Sequence, residues 1–237
     1  MKKIILIVLL IILIAVVAIG AFLFWPKEIK IQDKQINDNT KPFVIKITYP
    51  QINGLDNFNQ KAKTIIDKEI NDFKTNSLAN DAAVKEIDPK AYAEYPRTYE
   101  LDIGYDKGEV DDNVISIVFD VYNFEGGAHG ASYPIALNYN PKTKAEIKLS
   151  DLFPGQKDYL QKISDYCIKD LTKQIIKALG STDGTWIADG AGPKPENYQF
   201  FLINPSTSSG QATITFYFPQ YQVAYGAAGD FKVIMPR

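Results

Sequence analysis

The segment Ile4 to Trp25 constrains this chain more than any other: twenty-two consecutive residues carry no charge and no polar side chain except the Trp25 indole. As a helix rising about 1.5 Å per residue it would extend ~33 Å, enough to cross a hydrocarbon core of ~30 Å. A helix satisfies its own backbone hydrogen bonds, which lipid cannot do. Lys2 and Lys3 precede it, so the positive-inside rule keeps the N-terminus in the cytoplasm. The expected layout is a cytoplasmic tail over 1–3, a transmembrane anchor over 4–25 and an extracytoplasmic remainder. The alternative is a secreted protein released by signal cleavage, since Ala18-Ile19-Gly20 has small-x-small spacing. The apolar run outlasts a signal peptide's core and continues through Ala21–Trp25, which favours the anchor. No cysteine follows it, so a lipoprotein anchor is excluded.

With Lys2 and Lys3 set aside, 24 basic and 28 acidic residues remain, without a dense basic cluster. That argues against a nucleic-acid partner. The only cysteine, Cys167, has no internal partner and sits in an apolar helical stripe, so it reads as a small buried hydrophobe. Stability must come from packing, for which 14 tyrosines and 13 phenylalanines supply material.

Residues 26–42 are polar and lack apolar periodicity, and are read as a stalk with an extended start at Ile29 and Ile31. Phe43 to Tyr49 alternates as a strand that Pro50 closes. A helix is expected over about Asn57 to Thr75, with Phe58, Ala62, Ile65, Ile66, Ile70 and Phe73 on one face and Glu69 on the wet face. Thr98–Tyr105 and Val114–Tyr122 alternate as a hairpin around an acidic loop, Asp106–Asn113. That loop does not fit calcium-ligand spacing and reads as a solvated turn. Ser132–Tyr139 is a further strand. A second helix over Lys157–Leu179 carries Leu160, Ile163, Cys167, Leu171, Ile175 and Leu179 on one face and stops at Gly180. Tyr198–Ile203, Ala212–Phe218 and Phe231–Met235 complete the strands. The pattern predicts an α+β domain in two strand-helix-hairpin halves, 43–130 and 131–237, with long helices on a mainly antiparallel sheet.

The catalytic inventory is poor. One histidine, His129, and one cysteine cannot supply a zinc site, and no G-x-S-x-G elbow is present. No catalytic residue, metal or other cofactor is therefore assigned, and the chain is expected not to be an enzyme. Two segments are candidate ligand-binding surfaces. Gly126-Gly127-Ala128-His129-Gly130 is a glycine-rich bend that reads either as a binding loop, with Gly126, Gly127 and His129 as contacts, or as a structural turn. The run Tyr217 to Gly229 is rich in aromatic and small residues, and offers Tyr217, Tyr221 and Tyr225 either to a carbohydrate ring or protein partner, or to the core.

That last run, F-Y-F-P-Q-Y-Q-V-A-Y-G-A-A-G-D-F-K-V-I-M-P, resembles the end of the RsiV/PdaC-like envelope domain. Tyr49-Pro50-Gln51-Ile52, Gly126-Gly127-Ala128-His129, and the stretch from Asn138-Tyr139-Asn140 to Ser150-Asp151-Leu152-Phe153 agree with it in order. The resemblance runs from about Phe43 to Pro236, its first half PdaC-like and its second RsiV-like. It implies a domain outside the membrane, of the kind found in lysozyme-responsive anti-sigma factors and beside the catalytic domain of peptidoglycan deacetylases. Neither activity transfers: Met1-Lys2-Lys3 is too short to grip a sigma factor, and one histidine cannot furnish a deacetylase metal site. What the resemblance leaves is a membrane-anchored binding domain for peptidoglycan or a wall-directed protein such as lysozyme. The alternatives are a small envelope hydrolase using His129 and a structural protein that partners other membrane proteins.

Overall fold

The computed structural model describes residues 29–94, 97–206 and 210–237. The anchor expected over Ile4–Trp25 lies outside these residues. Among the described residues, no helix is long and apolar enough to cross a membrane.

Two sheets share the work of burial. The first has six strands in chain order: β1 (Ile31–Asp38), β2 (Phe43–Ile52), β3 (Tyr99–Val110), β4 (Ile115–Phe124), β5 (Ala131–Asn140) and β6 (Ala145–Glu146). Every neighbouring pair is antiparallel except β2 and β3, which run parallel. Parallel neighbours need a long crossover. Here it is α1 (Asp56–Ile87), followed by the short α2 (Pro89–Glu94). Phe58, Ala62, Ile66 and Phe73 recur at helical spacing along α1 and are fully buried. They pack on the alternate residues Ile45 and Ile47 of β2, Leu101 and Ile103 of β3, and Ile117, Phe119 and Val121 of β4.

The second sheet is a meander of β7 (Phe201–Asn204), β8 (Thr213–Phe218) and β9 (Phe231–Pro236). Helix α3 (Tyr159–Leu179) lays Ile163, Cys167, Leu171 and Ile175, each four residues apart, into a second core with Ile203, Phe216, Phe218 and Val233. The short α4 (Gly184–Gly190) follows it. Gly180 ends α3 at φ 79°, its N–H reaching the Ile176 carbonyl, a left-handed stop that suits glycine.

The sheets meet through β4, β5 and β7. Ser116 and Asn138 face each other across β4 and β5, both buried. Asn138 donates to the carbonyl of Phe201 at 2.9 Å, and Ser116 Oγ accepts from the N–H of Ile203 at 2.7 Å. Ser116 in turn donates to Asn138 Oδ1. These two side chains thus satisfy the outer edge of β7, which would otherwise bury unpaired backbone groups. On the far edge of the same sheet, Tyr166 and Gln174 of α3 donate to the carbonyls of Ile234 and Lys232 on β9.

The α+β class and the mainly antiparallel sheet agree with the sequence, but several boundaries need correction. The stalk region contains β1, an edge strand paired along all of its length with β2; only Ile31 and Ile36 of that strand pack on the core, so it lacks visible periodicity. Pro50 does not close β2: pairing with β3 ends at Ile47, so one side of β2 is free there, and a residue without an N–H is tolerated. The acidic loop is mostly strand. β3 continues through a bulge between Lys107 and Val110, and Asp111 Oδ1 closes the turn by accepting from the N–H groups of Asn113 and Val114. Helix α1 runs to Ile87, well past Thr75, because Asp81 is tied by Tyr92 and Tyr99, and Asn80 by the Glu125 carbonyl. Glu69 is buried rather than wet, accepting from Tyr133. The division at 130/131 falls between two paired strands of one sheet, so the second unit has a helix and a meander without a leading strand.

Candidate functional site

The six residues expected to touch a ligand occupy three separate places. The first is the segment after β8. Pro219 to Gly229 folds into consecutive turns in which the N–H of Gln222 reaches the Pro219 carbonyl, and those of Ala228 and Gly229 reach Tyr225 and Gly226. Tyr221 holds a left-handed backbone at φ 69°, a conformation that costs a non-glycine residue roughly 1–2 kcal/mol. Its ring lies over Gly226, where an added Cβ would fall 2.2 Å from it. Gln222 clamps the segment from below, its amide donating to the carbonyls of Gly190 at 2.8 Å and Asn197 at 3.0 Å. The fit is close enough that a Cβ on Gly190 would meet the Gln222 carbonyl at 1.8 Å.

The strain has a visible counterpart. Trp186 in α4 donates its indole N–H to the carbonyl of Tyr221 at 3.0 Å. Asp183 caps α4 by accepting from the Thr185 N–H. Trp186, Tyr221 and Tyr225 are exposed at 36%, 60% and 48%. Trp186 and the turn that carries Tyr221 are thus held by hydrogen bonds while their rings stay open to solvent. Beside them lies an open depression of about 540 Å³ lined by Asp183, Thr185, Trp186, Asp189, Asn197 and Gln222, together with Gly190.

The second place is the junction of the sheets. Tyr217 points inward at 8% exposure. Its hydroxyl lies 3.3 Å from Asp106 Oδ2, and the Lys232 ammonium stands 4.7 Å from its ring centre. The ring lines a cavity of about 120 Å³ with Val118, Asp120, Pro134, Phe218 and Lys232 among its walls. Burial pushes the Tyr217 hydroxyl well above its usual range, with Asp106 adding to the effect. Burial also raises the Asp120 carboxyl, against the opposing pull of Lys232. A core position accounts for Tyr217, and the strand period explains it: β8 has both faces covered at this point.

The third is the glycine-rich bend between β4 and β5 of the first sheet. Gly126 takes φ 91°, and an added Cβ would meet the Tyr99 ring at 2.9 Å. Gly130 lies under the Tyr122 ring, with a hypothetical Cβ at 2.4 Å. Gly127 is exposed. His129 is exposed too, with Nδ1 2.9 Å from its neighbour's carbonyl at Gly130. Cys167 is fully buried, and burial drives its thiol far above the usual range, which suppresses the nucleophilic thiolate. Among the described residues, no group of three or more His, Cys, Asp and Glu is placed to hold a metal ion.

Trp186, by contrast, is not legible in the sequence as part of the aromatic surface. A single tryptophan in Ser181-Thr182-Asp183-Gly184-Thr185-Trp186 carries no period, and the only local signal is Asp183 as a helix cap.

Two family models match the chain in succession. Residues 36–132 match "Deacetylase PdaC", and residues 150–237 match a family of unknown function, DUF3298. The chain is 27% identical over 202 residues to the peptidoglycan-N-acetylmuramic acid deacetylase PdaC of Bacillus subtilis (strain 168), covering 85% of this chain but 39% of that protein. The chain therefore spans well under half of this curated relative. Among solved structures it superposes on a DUF3298 family member from Bacteroides fragilis with a TM-score of 0.55 at 19% identity, covering 88% of this chain and 90% of that one. A DUF3298 family protein from Pseudomonas aeruginosa PAO1 follows, with a TM-score of 0.48 at 13% identity and coverage of 88% and 89%. The Bacteroides structure supports the fold alone. The two family matches follow one another along the chain, so its first part is similar to the PdaC family and its second to DUF3298.

Proposed function

We propose that the chain is a membrane-tethered, extracytoplasmic binding protein that recognises peptidoglycan through the surface formed by Trp186, Tyr221 and Tyr225. The observation that carries this reading is the exposure of Trp186 and Tyr221 on a frame of hydrogen bonds that fixes both. Sugar rings have apolar faces that pack on aromatic rings, and hydroxyls that seek acceptors at the rim. The similarity to a peptidoglycan deacetylase makes the wall glycan the natural ligand class. The Ile4–Trp25 segment supports a tether that would hold the surface toward the wall. A wall-directed protein remains the other ligand that an exposed aromatic surface suits, and it is an alternative outcome of the same test.

The reading is binding rather than catalysis. Cys167 is buried with its thiolate suppressed, and His129 lies in the bend between β4 and β5 of the first sheet, whereas the aromatic segment joins β8 and β9 of the second. The test is co-sedimentation of the purified full-length chain with insoluble peptidoglycan, with acetate and reducing sugar measured in the same tubes. Saturable retention without release of either product is expected. Absence of retention would overturn the binding reading, and release of acetate or reducing ends would overturn its non-catalytic part.

A further inference from the structure

The depression beside Trp186 has a one-sided chemistry. Asn197 spends both of its amide hydrogens inward, on the carbonyls of Asp189 at 2.9 Å and Gly192 at 3.0 Å. Gln222 does the same toward Gly190 and Asn197. Each amide therefore has its orientation fixed, and what it has left to offer a ligand is its carbonyl oxygen, an acceptor. The Trp186 N–H is consumed by Tyr221. Asp183 and Asp189 add two carboxylates, and no lysine or arginine is among the lining residues. Thr185 is the one side chain of the lining with a hydrogen to give.

An aromatic wall, fixed acceptors and two anions, with a single side-chain donor, favour a ligand rich in donors and positive charge. An N-acetylated sugar fits less well, because its acetyl carbonyl needs a donor and it lacks the ammonium that the two carboxylates attract, while Thr185 is the one side chain able to donate. A hexosamine with a free amine fits on every count. Its ring packs on the indole, its hydroxyls and ammonium donate to the fixed oxygens, and the ammonium is attracted by the aspartates and by the indole face. Resting on the wall-binding reading above, we infer that this depression is selective for de-N-acetylated glycan, that is, oligosaccharides of hexosamines carrying free amines. The reaction class that must supply such a ligand is hydrolysis of the acetamide on the sugar, which releases acetate and leaves the amine.

The experiment titrates the full-length chain, at one ionic strength, with three probes of matched length: oligomers of β-1,4-linked glucosamine, their N-acetylated counterparts, and oligolysine. Tighter binding of the amine form than of the acetylated form, by tenfold or more, is expected. The preference should shrink in Asp189→Asn and Asp183→Asn, where an asparagine still caps α4, and binding should fall in Trp186→Ala. Equal or tighter binding of the acetylated oligomer would overturn this inference while leaving wall binding intact. Oligolysine binding as tight as the amine oligomer would also overturn it, reducing the site to charge alone. If the chain fails to bind every glycan and insoluble wall as well, the wall-binding reading itself fails.

Discussion

Tyr217 and Tyr221 stand four residues apart in one aromatic run, yet one is 8% exposed and the other 60%. Tyr217 belongs to β8, where the second sheet packs on the first and its ring meets Val118 and Leu202. Tyr221 belongs to a turn, where a left-handed backbone turns the ring outward onto a glycine. The junction and the aromatic surface are thus built from the same residue types and do opposite jobs. A ring at the junction holds two sheets together; a ring on the turn, strained and exposed, stabilises little and is free to meet a ligand.

The comparison breaks most visibly at the junction. Tyr217→Ala should cost about 3 kcal/mol of unfolding free energy, as large-to-small core changes do, read from the midpoint of urea denaturation. Asn138→Ala comes next. It strips the Phe201 carbonyl of its partner in a buried place, and should cost about 2 kcal/mol by the same measurement. Tyr221→Gly should sharpen the contrast from the other side. Relief of the left-handed strain offsets the lost ring contact, so stability should change by less than about 1 kcal/mol, while retention on insoluble peptidoglycan falls.

The smallest effect concerns pH. Burial holds the Asp120 carboxyl above its usual range; Lys232 opposes this, and Asp230, Asp106 and Asp102 reinforce it. The unfolded chain then releases this proton at lower pH than the folded one. Stability therefore declines as pH climbs from the ordinary carboxylate range through the raised folded value. Asp120→Asn should remove that decline, so that variant and wild type have equal melting temperatures in acid and the variant melts higher at neutral pH.

Much of this architecture is legible in the sequence where burial imposes a period. Phe58, Ala62, Ile66 and Phe73 announce α1, and Ile163, Cys167, Leu171 and Ile175 announce α3 with Gly180 as its stop. Reading fails where tertiary contacts decide. The polar strand β1 exists because β2 offers it an edge, and the last turns of α1 persist because Tyr92 and Tyr99 hold Asp81. Membership of β5 in the first sheet depends on pairing that no local pattern encodes. The candidate surface was legible by half. Tyr221 and Tyr225 stand out as aromatic residues among glycines, whereas Trp186 reaches them only through the folding of α4 against the Pro219–Gly229 segment.

The most direct test of the account is a set of wall-binding isotherms for the full-length wild type, Trp186→Ala and His129→Ala, each checked for an unchanged melting temperature. The account predicts at least a tenfold loss of affinity in Trp186→Ala, on the order of 2 kcal/mol as for a central aromatic contact, and no change in His129→Ala. Undiminished binding by Trp186→Ala, or loss of binding in His129→Ala alone, would contradict it.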